Sequence, residues 1–136
     1  MITAVDTSVL IDVLQPDPMF GPASADALRW AIGQGRVVAC DVVWAEVSAR
    51  FDAHDDVAQV LDRLNVGFSP LQAFDAVEAG RAWGAYRRRG GTRERVIADF
   101  LVGAHARSQA ERLLTRDRGF FRTYFDDLSV VDPSAS

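Results

Sequence analysis

The stretch VDTSVLID, residues 5–12, reads as the end of a β-strand that passes directly into an α-helix. The apolar run ITAV (2–5) is typical of a strand, and apolar residues then recur at helical spacing through residues 9–14. An acid, Asp6, stands at the junction. The stretch therefore predicts a strand that feeds a helix, with a carboxylate at the exit of the strand.

Short strands and helices alternate along the rest of the chain. Further strands are predicted at RVVAC (36–40), within NVGFSPL (65–71), at RLLT (112–115) and at LSVVD (128–132). Helices are predicted after Ser24 and Asp41 as N-caps, from Asp56 to about Leu64, from Leu71 to Arg89, over 96–109 and after Asp117. Because parallel strands need crossovers and these are usually helices, we expect a three-layer α/β/α fold with a central parallel sheet of about five short strands.

Length and composition limit the class of protein. The 136 residues, 49% of them hydrophobic, suffice for one domain, which we expect over 1–132, with a frayed tail at 133–136. No apolar run approaches the roughly 18 residues of a membrane span and no charged leader is apparent, so we expect a cytoplasmic protein without membrane contact. Cys40 is the single cysteine and only two histidines occur, so any metal must be held by oxygen.

All 15 basic residues are arginine, and lysine is absent. A coding bias explains this better than selection for phosphate binding. The absence removes a residue required by P-loop proteins, Schiff-base enzymes and haloacid dehalogenase phosphatases. The net charge of −4 does not indicate a nucleic-acid binder, although five arginines cluster within 87–95. A solvated helix end is the default interpretation of that cluster, and a phosphate-binding rim is the alternative.

Four acids occupy positions that call for an explanation. In open parallel sheets, ligands bind beyond the carboxyl ends of the strands, where Asp6 and Asp117 are both predicted to emerge. Glu46 and Asp99 each interrupt an otherwise apolar helix segment. Taken singly, each acid is explained by an exposed surface position, and Glu46 and Asp99 also have an arginine four residues away.

The surroundings of Asp99 favour a functional position. Gly103 lies one turn after it, with Ala98 and Ala104 beside these positions. Small residues on that face allow another element to approach closely, which a solvated helix face does not require.

Together these motifs resemble the PIN-domain nucleases and, more narrowly, the VapC-type toxins of bacterial toxin–antitoxin pairs. The resemblance runs from Ile2 to about Val131 and rests on DTSVLI, an isolated glutamate in a mid-chain helix, ADFLVGAHA and LLTRDRGF. By position, the family's acidic quartet and supporting hydroxyl correspond to Asp6, Glu46, Asp99, Asp117 and Thr115. The chain departs from the pattern at residue 41, where an aspartate replaces the frequent Ser or Thr and adds a fifth acid of undetermined role.

The resemblance implies a PIN-like fold and a metal-dependent endoribonuclease. Clustered carboxylates repel, and a hard cation such as Mg²⁺ or Mn²⁺ relieves that repulsion. We expect Asp6, Asp99 and Asp117 to bind the cation, with Asp117 as a ligand or an indirect partner, and Glu46 to orient or deprotonate the attacking water. Thr115 would hold a carboxylate or a water by hydrogen bonding. Whether one or two ions act is left open.

Substrate and partners follow from the same resemblance. Arg116 and Arg118 are expected to contact the RNA backbone, and the helix start at Ser8 to meet a phosphate, although ordinary capping explains Ser8 equally well. The family implies an RNA substrate, with tRNA as one candidate, a homodimer and an inhibitory antitoxin. Apolar helix surfaces at Trp83 and Tyr86 are consistent with such partners.

Two other classes of protein are excluded because the chain lacks a residue that their chemistry requires. A haloacid dehalogenase would need a second acid at Ser8 and a lysine, and a response regulator would need the same lysine. A catalytically silent PIN-like module that binds RNA or protein remains the alternative. We expect His105 to pack in the core and His54 to have no catalytic role. The aromatic residues are expected in the core or at a subunit interface, namely Trp30, Trp44, Trp83, Phe100, Phe120, Phe121 and Phe125.

Overall fold

A computed structural model describes residues 1–92 and 96–134 and contains, within them, one five-stranded parallel sheet. The strands lie in the order β3-β2-β1-β4-β5, and every neighbouring pair is parallel. Their bounds are β1 (Ile2–Val5), β2 (Arg36–Ala39), β3 (Val66–Phe68), β4 (Arg112–Leu114) and β5 (Val130–Val131). The predicted alternation of strands and helices is therefore confirmed.

Helices flank this sheet and complete three α/β/α layers. In the described part of the chain they are α1 (Thr7–Leu14), α2 (Gly21–Gln34), α3 (Asp41–Ser48), α4 (Val57–Arg63), α5 (Ala73–Arg88), α6 (Ile97–Gln109) and α7 (Arg118–Tyr124). Each of these helices joins or follows parallel strands, which is the connection that parallel pairing requires. The expected three-layer fold is thus confirmed.

The order of the strands creates a switch point beside β1. The chain builds outward from β1 through β2 to β3, and then returns to place β4 on the other side of β1. Val5 is paired with Leu114, and the backbone N–H of Asp6 donates to the Leu114 carbonyl at 2.9 Å. The carboxyl ends of β1 and β4 therefore lie side by side where strand order reverses, the usual ligand position in such sheets.

The core is built on the apolar central strands and on an aromatic cluster. The last three residues of β1 and β2 and all of β4 are buried, as expected of strands covered on both faces. Phe100 of α6 packs edge to face against Phe120 of α7, with ring centroids 5.2 Å apart, and also contacts the fully buried Phe125. The phenylalanines of 100–125 thus belong to the core, as predicted.

Two predicted helix caps are wrong. α2 begins at Gly21, with Pro22 in its first turn, so Ser24 lies inside the helix and donates to Asp12 Oδ2 at 2.7 Å. α3 has Cys40 at its N-cap, and Asp41 is the first helical residue. Each side chain has a tertiary partner instead: Oδ1 of Asp41 accepts from a backbone N–H in the β3–α5 connection, 3.3 Å away.

The expectation of an uncovered surface at Tyr86 is also wrong. Tyr86 is only 7% exposed, and its hydroxyl donates to the carbonyl of Thr92 at 2.8 Å. The exposed apolar side chains of α5 lie nearer its start, where Phe74 is 64% and Val77 is 50% exposed. Trp83, the other residue predicted for this surface, is half-buried.

Some expectations fall partly outside the described residues. Arg93 and Arg95 of the arginine cluster lie there, as do residues 135–136 of the predicted tail. Within 1–92 and 96–134, no helix combines the length and the apolar character that crossing a membrane requires.

The packing of Gly103 gives a stability prediction. A Cβ at this buried position would lie 2.4 Å from the ring of Phe125, so Gly103→Ala should lower the free energy of unfolding by about 1–3 kcal/mol. Gly80→Ala is the matched control, since its Cβ would meet no atom within 4 Å and alanine should stabilise an exposed helix position by up to about 1 kcal/mol. Urea unfolding would compare the two variants, and equal effects would contradict the packing described.

Candidate functional site

Asp6 is fixed at the exit of β1 by two hydrogen bonds. It is the N-cap of α1, with extended backbone, and its Oδ1 accepts from the Thr7 N–H at 2.8 Å. Its Oδ2 accepts from the hydroxyl of Thr115, directly after β4, at 2.7 Å. Both strands at the switch point therefore hold the same carboxylate.

Thr115 connects Asp6 to Asp117. Its side chain is fully buried, and its hydroxyl accepts from the backbone N–H of Asp117 at 3.0 Å while donating to Asp6. Asp117 is the N-cap residue of α7. One hydroxyl thus places the backbone of Asp117 beside the carboxylate of Asp6.

Glu46 approaches the same region from α3. Its Oε1 accepts from the hydroxyl of Thr7 at 2.8 Å, so the start of α1 contacts the middle of α3. The surface explanation for Glu46 needed a helical pair with Arg50, but α3 ends at Ser48, so residue 50 lies beyond the helix. The side chain of Glu46 therefore contacts the first turn of α1.

Asp99 reaches the site from the first turn of α6. Its Oδ2 accepts from the Val96 N–H at 3.3 Å, which satisfies one backbone donor at the helix start. A carboxylate in this turn is also favoured by the helix dipole. Its proposed surface partner, Arg95, lies outside the described residues.

The charges of these acids are coupled. Burial raises the pKa of Asp6 from 3.8 to about 6, against the opposing hydrogen bonds from Thr115 and Thr7. Repulsion from Glu46 and Asp99 makes a smaller contribution in the same direction, and it is included in this value. Three carboxylates from β1–α1, α3 and α6 therefore share one negatively charged region, and Thr115 links Asp117 to it.

The donor set fits a hard cation, although it is not assembled as a closed cage. Across residues 1–92 and 96–134, no three Asp, Glu, His or Cys side chains form a compact metal-binding group. Hydrogen bonds from Thr7, Thr115 and the Val96 N–H orient the carboxylates instead. Mg²⁺ characteristically takes one or two carboxylates and retains waters, and a cation would relieve the repulsion from Glu46 and Asp99 that contributes to the raised pKa of Asp6.

The residues predicted to bind RNA differ in their surroundings. Arg116 donates from Nε and Nη2 to the two carboxylate oxygens of Asp12, at 2.7 and 3.0 Å, and its backbone N–H donates to Ser8 Oγ at 3.4 Å. Arg118 is more accessible, with 43% of its side chain exposed and Nε 4.0 Å from Asp132. A phosphate would therefore compete with Asp12 for Arg116 but meet little competition at Arg118.

One residue and one contact of this region were not predicted from the sequence. Asp12 interrupts the apolar run VLIDVL four positions after Ser8, which is the same signal that indicated Glu46 and Asp99. Thr7 was expected, with Ser8, only to offer a backbone N–H at the helix start, and its contact with Glu46 carried no signal because the two residues are 39 positions apart.

The histidines occupy the positions expected of non-catalytic residues. His105 is 1% exposed, and its Nε2 lies 3.0 Å from Ser69 Oγ. Burial lowers its pKa, which favours the neutral ring. His54 lies in an exposed turn.

The raised pKa of Asp6 predicts how stability depends on pH. The folded chain holds a proton on Asp6 up to about pH 6, whereas the unfolded chain loses it near 3.8, so the contribution of this carboxyl to stability falls between these values. In EDTA, Asp6→Asn should remove that decline and stabilise the protein at pH 7.5 by about 1–3 kcal/mol, with no gain near pH 4.

Urea unfolding across this pH range would measure the effect. Asp26→Asn is the matched control, because Asp26 is an exposed acid paired with Arg29. A loss of stability in Asp6→Asn at pH 7.5, or a gain independent of pH, would contradict the electrostatic description.

Solved structures share this fold over nearly the whole chain. VapBC2 from Rickettsia felis, solved with a DNA fragment from its promoter, matches with a TM-score of 0.75 and 17% identity, covering 97% of this chain and 98% of that one. FitAcB from Neisseria gonorrhoeae matches with a TM-score of 0.70 and 21% identity, covering 100% of both chains. A toxin–antitoxin complex from Klebsiella pneumoniae matches with a TM-score of 0.69 and 17% identity, covering 96% and 97%. At these identities the likeness establishes the fold.

The sequence itself also matches a known family. Comparison with curated protein sequences gives no match. The family model of the PIN domain, however, matches residues 3–126, which is most of the chain. On this match, and with the fold and the strand-end acids described above, the chain belongs to the PIN domain family.

Proposed function

We propose that this chain is a VapC-type toxin that hydrolyses RNA with Mg²⁺ or Mn²⁺. The observation that carries the proposal is the convergence of Asp6, Glu46 and Asp99, from three separate segments, on the carboxyl end of β1. The pKa of Asp6 is raised chiefly by desolvation and to a smaller extent by these neighbouring acids, and such shifts are frequent at functional sites. The chain belongs to the PIN domain family, and the resemblance of its acidic motifs to those of PIN-domain nucleases leads us to infer nuclease chemistry at this position.

The residues at this site have separate tasks in the proposed reaction. Asp6 and Asp99 would hold the cation, and Thr115, which accepts from the backbone N–H of Asp117, would keep that residue beside them. A divalent cation bound here would supply positive charge for the departing oxygen and lower the pKa of water. Glu46 is the proton acceptor: Thr7 engages its Oε1, so Oε2 is the oxygen that we assign to the attacking water.

Arginines supply the contacts that RNA needs. Arg118 follows Asp117 directly and is partly exposed, and the arginines of 87–89 are exposed at the end of α5. Such contacts neutralise phosphates and position the strand without selecting a sequence. We therefore assign Arg118 to the RNA backbone near the site, with tRNA as one candidate substrate.

An antitoxin and a second copy of the chain are the proposed protein partners. Among the proteins with this fold is a toxin–antitoxin complex from Klebsiella pneumoniae. The chain also exposes apolar side chains on α5 and at the start of α6, which are Phe74, Val77, Val96 and Ile97. Exposed apolar side chains of this size suit protein contacts better than solvent.

A catalytically silent binding module is the second candidate. It is favoured by one observation: in the described residues the acids are oriented by internal hydrogen bonds, without three of them forming a compact group. Such a module would bind RNA or a partner without cleaving it.

Metal-dependent cleavage separates the two candidates. The purified protein should cleave bulk tRNA or a structured synthetic RNA in Mg²⁺ or Mn²⁺, and EDTA should abolish the activity. Asp6→Asn and Asp99→Asn should each lower the rate by at least about 100-fold, because each removes a charge from the cation site. Gel analysis of end-labelled RNA would measure the rates.

Asp26→Asn is again the control, since it removes an exposed acid of α2 without touching the site. Cleavage that persists in EDTA, or that is equal in Asp6→Asn and the native chain, would refute the proposed mechanism. RNA binding without cleavage in any of these metals would favour the silent module.

A further inference from the structure

The turn that carries Thr115 and Asp117 is tied to α1 by the residue between them. Arg116 donates its backbone N–H to Ser8 Oγ at 3.4 Å and its guanidinium to Asp12, with Nε 2.7 Å from Oδ2 and Nη2 3.0 Å from Oδ1. Ser8 and Asp12 are one helical turn apart and share a face of α1. Backbone and side chain of residue 116 therefore bind the same helix face.

The pair is built into the protein interior. Asp12 is 2% exposed, and its Oδ2 also accepts from Ser24 Oγ of α2 at 2.7 Å. The ring of Phe20 lies against the guanidinium of Arg116, with 4.1 Å from the ring centroid to Cζ. The Asp12 carboxylate thus accepts three side-chain hydrogen bonds, two from Arg116 and one from Ser24, and the Phe20 ring packs on the guanidinium. Residues of α1, α2 and the turn after β4 meet at this contact.

The burial of its partner Asp12 makes Arg116 unsuited to bind RNA. If a phosphate drew the guanidinium away, the carboxylate of Asp12 would remain buried without a positive partner, which is strongly unfavourable. Only 29% of the Arg116 side chain is exposed, whereas 43% of Arg118 is exposed. The two arginines that flank Asp117 therefore have different tasks.

We propose that Asp12 and Arg116 are positioning residues that hold the 115–117 turn against α1 and thereby set the affinity of the acidic site for a divalent cation. Arg116 acts through its neighbours: the Thr115 hydroxyl must reach Asp6, and Asp117 must stay beside them. This role deepens the proposed nuclease function and rests on it. It also replaces the expected RNA contact of Arg116.

Cation binding to the protein alone provides the first test. Calorimetric titration with Mn²⁺, without RNA, should give dissociation constants about tenfold weaker in Asp12→Asn and in Arg116→Gln than in the native chain. Asp26→Asn and Arg29→Gln are the matched controls, since they break an exposed acid–arginine pair of α2 and should bind Mn²⁺ as the native chain does.

The effects of the two substitutions on Mn²⁺ affinity should not be additive. Because both break one contact, Asp12→Asn combined with Arg116→Gln should bind Mn²⁺ no more weakly than the weaker single variant. At saturating Mg²⁺, the KM for RNA should stay within about twofold of the native value in both single variants, because neither side chain contacts substrate.

If Arg116 instead bound an RNA phosphate, its substitution would affect RNA binding and not Mn²⁺ binding. Arg116→Gln would then raise the KM for RNA and leave Mn²⁺ affinity unchanged. It would also reduce the slope of the logarithm of RNA affinity against the logarithm of salt concentration by about one. Asp12→Asn would behave like Asp26→Asn. Either result would overturn the positioning role.

A measurement on the native chain covers the case in which the variants do not fold. The Nε–H signal of Arg116, identified by its proximity to the Phe20 ring, should stay in place when a short hairpin RNA is added in EDTA. A shift of that signal in step with RNA saturation would place phosphate on Arg116 and overturn the inference.

Asp6→Asn keeps this inference distinguishable from the proposed function. Mn²⁺ binding that is lost in Asp6→Asn but unchanged in Asp12→Asn would overturn the positioning role alone. A native chain that binds no Mn²⁺ would overturn the metal-dependent function and this role with it.

Discussion

The hydrogen bond from the Thr115 hydroxyl to the Asp6 carboxylate is the contact on which the site depends. It spans 109 residues and closes over the switch point, where β1 and β4 lie side by side. The same hydroxyl accepts from the backbone of Asp117, while Thr7, next to Asp6, holds Glu46. The parallel sheet thus fixes the Asp6 carboxylate, and the hydroxyls of Thr115 and Thr7 connect this region to Asp117 and Glu46.

The pKa values of Asp75 and Asp6 are shifted in opposite directions. Burial alone would raise the pKa of Asp75, but hydrogen bonds from Ser108, the Gln72 N–H and Gln109 outweigh it, and the pKa is lowered. Asp6 also receives hydrogen bonds, yet burial outweighs them, with a smaller contribution from like charges, and its pKa is raised to about 6. A buried acid that is fully compensated serves the fold, whereas an acid left under repulsion is suited to bind a cation.

Sequence patterns were informative where local rules decide the structure. Hydrophobic periodicity located every strand of the sheet, and the rule that strand ends meet at one edge placed Asp6 and Asp117 together. Ser24 and Asp41 were wrongly assigned as caps because each found a distant tertiary partner. The position of Arg116 beside Asp117 led to the prediction that it contacts RNA. Its side chain instead binds the buried carboxylate of Asp12, which lies more than a hundred residues earlier in α1.

The late position of β4 has a consequence for synthesis of the chain on the ribosome. β4 lies between β1 and β5 in the sheet, so the edge of β1 that faces it has no partner until residues 112–114 have been made. A nascent polypeptide that stops before this strand contains Asp6, Glu46 and Asp99 but neither Thr115 nor Asp117. The acidic centre is therefore completed only after residue 117 has been synthesised, when β1, β2 and β3 are already available to pair.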